Sequence, residues 1–237
     1  MLILAATLTM LDGNTTYVNK YWNVLTQWAD YLAENGQDPA NQLCTDDFAG
    51  HWAHNCNLSA KAIMGVLGYS KMALMKGDAA TATKYENLAK KMAVEWEREA
   101  NEGDHYRLAF DRDNTWSQKY NMVWDKVWNA HIFPNNAIET EIKYYLTKQN
   151  TYGLPLDCRA DYTKNDWIMW TAVMSPDKAT FAKFVSPVYK YANETTTRVP
   201  LSDWYFTSTG KYRAFIARSV IGGFWMKVFM DQKPALR

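Results

Sequence analysis

Residues 58–103, LSAKAIMGVLGYSKMALMKGDAATATKYENLAKKMAVEWEREANEG, read as two helices joined by a turn of one or two residues. In the first, Ile63, Val66, Leu67 and Met72 recur at helical spacing, and the run closes at Gly77. Asp78 caps the second, whose apolar stripe is Tyr85, Leu88, Met92 and Trp96 and which ends at Gly103. Two long helices sharing so short a turn form an antiparallel hairpin, and that unit predicts the rest of the chain.

Outward from it, the same punctuation repeats. Asn14 and Thr15 open a helix over about 16–35, with Tyr21, Leu25, Trp28 and Leu32 on one face and Gly36 as terminator. Asn114 or Thr115 caps a helix to about Trp128, and Pro134 begins one to about Lys148. A helix spans about 165–173, and Ser175-Pro176 supplies a cap followed by proline at the first helical position. The last helix is predicted over about 211–229, mostly apolar, with Gly222-Gly223 permitting a close backbone approach. No run of alternating residues argues for strands, so the chain is predicted to be all-α with about nine helices.

Helix starts near residues 2, 58, 115 and 165 recur at intervals of 56, 57 and 50 residues, and each opens a hairpin. The links between hairpins are long: 36–57, 103–114, 150–164 and 193–210. In such an array the short turns lie at one end and the long links at the other, so function is expected on the face where the links gather. Their sequences are rich in Asp, His, Arg, Trp and Tyr rather than Gly, Ser and Lys.

Composition narrows the partners. A net charge of +1 without a long run of one sign excludes a phosphate backbone or an anionic membrane surface, so nucleic acid is not an expected partner. The opening MLILAATLTML is apolar but lacks a basic n-region and a cleavage boundary, and it is too short to span a bilayer. A helix beginning there without a capping residue predicts further sequence upstream. Cys44, Cys56 and Cys158 have no CxxC spacing and define neither a zinc knuckle nor a disulfide framework, although a Cys44–Cys56 bridge stays open. No cofactor motif is present.

Four successive strings, ENGQDPANQLCTDDFAGHWAHNCNLSAKAI (34–63), GDHYRLAFDRDNTWSQKYNMVWDK (103–126), KQNTYGLPLDCRADYTKNDWIMWTA (148–172) and RVPLSDWYFTSTGKYRAFIARSVIGG (198–223), resemble the six-helical-hairpin domain of the glutaminase A family, found in bacteria such as Bacteroides and in fungi. The resemblance covers nearly the whole chain. It implies an (α/α) toroid like that of six-hairpin glycosidases, preceded by other domains of the same parent protein, which would be secreted or periplasmic. With fewer helices than six full hairpins need, residues 1–237 are read as one helical-hairpin domain, the later part of a larger one. The family name implies hydrolysis of L-glutamine to glutamate and ammonia. The fold also resembles that of inverting glycosidases, which makes a glycan the alternative substrate and a silent scaffold or glycan-binding domain the reading outside enzymes.

The candidate site follows from chemistry within that frame. Asp46 and Asp47 are adjacent carboxylates before an aromatic and a small residue, a loop similar to the one that carries the general acid in toroid glycosidases, and neighbouring carboxylates push one pKa upward. Asp203, in VPLSDWY, is the expected opposing base, with a water between; Asp161 and Asp166 compete for that role. No G-x-S-x-G or S-x-x-K string supplies an acyl-enzyme nucleophile, so a carboxylate-activated water fits better. Substrate contacts are expected from His51, Trp52, His54, Asn55, Arg159, Asp161 and Trp204, with Arg159 holding an α-carboxylate bidentately. His51 and His54 lack a fixed third ligand, so no metal is expected, and Trp124 and Trp170 are assigned to packing.

Overall fold

A computed structural model describes residues 1–41, 47–134, 136–197 and 199–232, and of Asp47 the backbone alone. Cys44, Thr45, Asp46, Arg198 and the Asp47 side chain therefore lie outside the described residues. Nine α-helices occur among the described residues: α1 (Leu2–Asp12), α2 (Thr16–Asn35), α3 (Cys56–Met75), α4 (Ala79–Ala100), α5 (Val123–Trp128), α6 (Ala137–Leu146), α7 (Asn165–Val173), α8 (Lys178–Glu194) and α9 (Met226–Gln232). The fold is all-α, as the periodicity predicts, with one small addition.

The α3–α4 hairpin is the centre of the core, and α1 and α2 pack against α3 from the other side. Helix α3 is apolar on nearly every face, and fifteen of its residues are buried, which is what a helix enclosed by neighbours requires. Gly68 lets α1 close in, since a Cβ there would meet Ala6 Cβ and a Trp128 ring carbon at 3.0 Å each. Of the expected caps Asp78 is found, and Asn55, expected as a substrate contact, caps α3. Asn55 accepts from the Leu58 N–H at 2.8 Å and Asp78 from that of Thr81 at 3.0 Å. Each such cap contributes about 1 kcal/mol. For α8 the cap is Asp177, which accepts from the Thr180 N–H at 2.7 Å, rather than Ser175. The stripe of α2 is split, with Leu25 buried while Tyr21 and Trp28 face solvent.

Two predicted helices are corrected. Residues 115–119 are extended, and the helix starts only after a 3-10 turn at Tyr120–Met122. The reason is tertiary. The Gln118 N–H donates to Leu156 O and the Cys158 N–H to Trp116 O, so these backbone groups bond to the link 150–164 instead of to a helix. A buried network fixes the segment. Lys119 Nζ donates to the Tyr106 and Ser117 carbonyls and pairs with Glu141 at 3.4 Å, while the Tyr145 hydroxyl bonds the same carboxylate.

The second correction concerns 211–229. Its first part is extended, with the Arg213 N–H donating to Trp204 O, and a 3-10 helix, Ser219–Trp225, precedes α9. Two consecutive glycines cost a helix about 1 kcal/mol each, and the extended bonds win. The same region holds the unforeseen sheet. Strands β1 (Tyr162–Lys164) and β2 (Trp204–Phe206) pair antiparallel, with Thr163 opposite Tyr205 and Lys164 opposite Trp204.

Candidate functional site

The long links do gather. The Phe110 N–H donates to His54 O, joining 36–57 to 103–114, and the Tyr162 hydroxyl donates to Phe48 O at 2.7 Å, joining 36–57 to 150–164. The β1–β2 ladder joins 150–164 to 193–210.

At that junction sits an ion network. Lys164, the last residue of β1, places Nζ 2.6 Å from Asp203 Oδ2 and 2.8 Å from Asp166 Oδ1. Arg218, at the start of the 3-10 helix, donates from Nε to Asp203 Oδ1 at 3.1 Å and from Nη2 to Oδ2. Aromatic rings enclose the charges. Lys164 Nζ lies 4.6 Å from the Trp167 ring centre and 5.4 Å from that of Phe48, and Arg218 stacks over Phe215 at 4.4 Å. Phe48 in turn meets Trp204 edge-on at 4.7 Å, and Trp167 stacks on Tyr120 at 4.6 Å.

The two carboxylates are tuned in opposite directions. Burial pushes Asp203 up, but the hydrogen bonds and charges of Arg218 and Lys164 outweigh it and hold the carboxyl below its ordinary range. For Asp166 burial dominates, Lys164 offsets only part of it, and the neighbouring Asp203 charge adds to the rise, so its pKa lies above the ordinary value. A pair whose environments split in this way is the usual arrangement for acid and base roles. The 3-10 helix covers Asp166, and Gly223 permits the approach. Two buried polar atoms here have no partner among the described residues, Asn165 Oδ1 and Trp204 Nε1.

The residues expected from sequence divide. Asp203 and Trp204 are at the junction. Asp46 and Asp47 lie outside the described side chains, but Phe48, their immediate neighbour, is packed into it. Asp161 sits at the edge, its carbonyl accepting from the Thr207 N–H and its carboxylate from Ser208. The other assignments differ from expectation. Arg159 bonds Asp157 through Nε and Nη2 and Gly50 O through Nη1, so its guanidinium is already committed. Trp52 is clamped between Arg112 and Arg159, at 4.2 and 4.8 Å, which fastens its link rather than lining a pocket. Asn55 is a buried helix cap. His54 pairs with Asp38 at 2.7 Å, a hydrogen bond that raises its pKa, and stands with positive φ at the link's outer edge. His51 is exposed. Cys56 is a free thiol buried under α4. Among the described residues no three His, Cys, Asp or Glu side chains group to hold a metal ion.

Lys164 and Arg218 were not foreseen. Lys164 stands two residues before Asp166 in YTKNDWIMW and Arg218 is the one charge in AFIARSVIGG, and a charge in such aromatic or apolar surroundings is buried only when paired. No helix among the described residues is long and apolar enough to cross a membrane.

A family model described as the glutaminase A six helical-hairpin domain matches residues 1–228. The chain is 32% identical over 231 residues to a glutaminase A of Aspergillus oryzae, covering 94% of this chain and 33% of that protein. It is likewise 32% identical over 240 residues to a protein of Arthroderma benhamiae named "Probable glutaminase", covering 87% of this chain and 28% of that one. The chain thus spans a third or less of the curated relatives it matches.

Proposed function

The chain belongs to the glutaminase A family, of which it carries the six helical-hairpin domain, and from that membership we propose that it forms the hydrolytic end of a glutaminase, releasing ammonia from the side-chain amide of L-glutamine. The observation that carries the reading is the convergence of three long links on the Lys164–Asp203 network, beside the residue that follows Asp46 and Asp47. In this scheme Asp46 or Asp47 meets the substrate from the link 36–57 and activates water. Asp166, with its raised pKa, carries the proton, and Asp203 is the fixed anion that seats two cations. Trp204 and Phe48 form the wall, and the exposed His51 lies in the same link as the paired carboxylates.

Hydrolysis of an amide by activated water needs one group to take the proton of the water and one to deliver a proton to the departing ammonia. Asp46 or Asp47 as the base and Asp166 as the acid meet that need without a covalent intermediate. A second reading, inverting hydrolysis of a glycoside, is favoured by the aromatic enclosure of Phe48, Trp167 and Trp204, rings of the kind that stack on sugars. That the parent protein has further domains and is secreted or periplasmic belongs to the same proposal. The length of the relatives supports the first part.

The test is ammonia release from L-glutamine, beside a panel of glycosides, by the full-length protein and its Asp47→Asn, Asp166→Asn and Asp203→Asn variants. Loss of an acid or base lowers kcat by about 10²–10⁴-fold. Full activity in all three variants removes the site, and turnover of a glycoside without ammonia release from glutamine transfers the function to the second reading.

A further inference from the structure

We propose that Arg218 recognises the α-carboxylate of the substrate and that Asp203 holds it in position to do so. The inference rests on the glutaminase reading, because it is an amino-acid substrate that brings a carboxylate to the site.

The argument begins with exposure. Within the network the side chains of Lys164, Asp166 and Asp203 are 1%, 7% and 0% exposed, whereas Arg218 is 32% exposed. It is the member that reaches solvent. Asp203 occupies one edge of the guanidinium, through Nε and Nη2, and among the described residues nothing accepts from Nη1. A guanidinium has five N–H donors in a rigid fork, so an edge fixed on one carboxylate aims the remaining donors in a set direction. The Phe215 face at 4.4 Å and the Phe48 ring at 5.9 Å fix its plane as well.

The pairing points the same way. Asp203 is shared between Lys164 and Arg218 while Asp166 faces Lys164, so the outer edge of the guanidinium is left toward solvent. A second carboxylate arriving at Nη1 would form charge-assisted bonds in a wall of aromatic rings, where they are stronger than in water. Trp204 Nε1–H, buried in the same ring cluster without a partner among the described residues, is a further donor of matching sign. The other arginines near the links do not offer this. Arg159 has all three guanidinium nitrogens engaged, and Arg112 stacks on Trp52. Arg213 lies over the Trp204 ring, and among the described residues no carboxylate orients it.

The experiment compares binding of L-glutamine and L-glutaminamide, which lacks the α-carboxylate, by calorimetry, together with ammonia release from each. It uses the full-length protein and its Arg218→Lys, Arg218→Met and Arg213→Met variants. Arg218→Lys keeps a cation for Asp203 and loses the second arm of the fork, so its fold is maintained while the proposed contact is gone. Charged hydrogen bonds contribute about 1.5–3 kcal/mol, so wild type should prefer L-glutamine by about 10–100-fold. Both Arg218 variants should lose that preference, with KM for L-glutamine raised by the same factor and kcat changed far less, and Arg213→Met should retain it. A folded Arg218→Lys protein that still prefers L-glutamine overturns the assignment, as does absence of any preference in wild type. Carboxylate-dependent binding that vanishes with Arg218 but is accompanied by no ammonia release overturns the glutaminase reading and leaves the assignment standing.

Discussion

Replacing Gly223 by alanine tests whether the 3-10 helix lies as close to Asp166 as the site requires. A Cβ on Gly223 would fall 2.9 Å from Asp166 Cβ, 3.2 Å from Trp170 Nε1 and 3.3 Å from Asp166 Cα. Carbon atoms ordinarily meet at about 3.5–4.0 Å, so the intrusion is several tenths of an ångström, and Asp166 Cα and the Cβ fixed to it cannot rotate aside. The helix must lift, and overpacking of this kind costs about 1–3 kcal/mol. Gly222 is the matched control, because a Cβ there meets nothing within 4 Å. Both substitutions restrict the unfolded chain equally, stabilising by about 0.4–1 kcal/mol, so that contribution cancels between them. For a chain of 237 residues each kcal/mol shifts Tm by about 2–4 °C, and Gly223→Ala should melt about 2–12 °C below Gly222→Ala. Thermal unfolding followed by circular dichroism and tryptophan fluorescence measures the difference. Equal melting temperatures would mean that the 3-10 helix does not rest on Asp166, and the account of that carboxyl's burial would fall with it.

Two further outcomes follow from buried charge. Lys119→Met strips Glu141 of its cation in a fully buried setting, and leaving one partner of such a pair costs about 3–5 kcal/mol. Thermal melts should fall by about 6–20 °C, and a shift under a degree or two would show that Tyr145 and the Tyr106 N–H satisfy the carboxylate unaided. The second is a pH dependence around pH 3.8, the ordinary carboxylate value, where the two aspartates act oppositely. Asp203, with its folded pKa depressed, contributes stability that is present above pH 3.8 and is lost as pH falls through the lowered value. Asp166, with its folded pKa raised, weakens the fold as pH rises from 3.8 through the raised value. Urea unfolding across this range should therefore show Asp203→Asn flattening the loss on the acid side and Asp166→Asn flattening the decline on the other. Identical pH profiles for both variants and wild type would refute the opposed tuning.

The parts of the fold that the sequence made legible are those whose stability is local. Helices α2, α4 and α7 lie close to the expected bounds because apolar spacing, and in α4 the Asp78 cap, act within a few residues. Residues 115–119 and 211–217 were misread because their backbone groups bond to segments some 35–40 and 10 residues away, such as Gln118 to Leu156 and Arg213 to Trp204, and no local pattern records such a partner. The site shows the same division. Asp203 and Trp204 could be picked out as chemistry-bearing residues in a link. That Arg159 is consumed by Asp157 while Arg218 keeps a free edge depends on which carboxylate folds against which arginine.

The sheet explains why the network forms at all. Lys164 closes β1, Asp203 immediately precedes β2, and Arg218 follows the extended stretch whose Arg213 N–H bonds to Trp204. Three separate segments contribute one charge each, and the buried Asp203 is compensated by the cations of the other two. In an antiparallel pair a slip of one residue turns every side chain to the opposite face. Such a slip would carry Lys164 away from Asp203 and from the Phe48 and Trp167 rings, and the buried carboxylate would then face Arg218 alone. The ion network therefore selects the register of a ladder only three residues long, too short to specify itself by hydrophobic alternation. The same charges that the proposed chemistry uses are what aligns the links that bring them together.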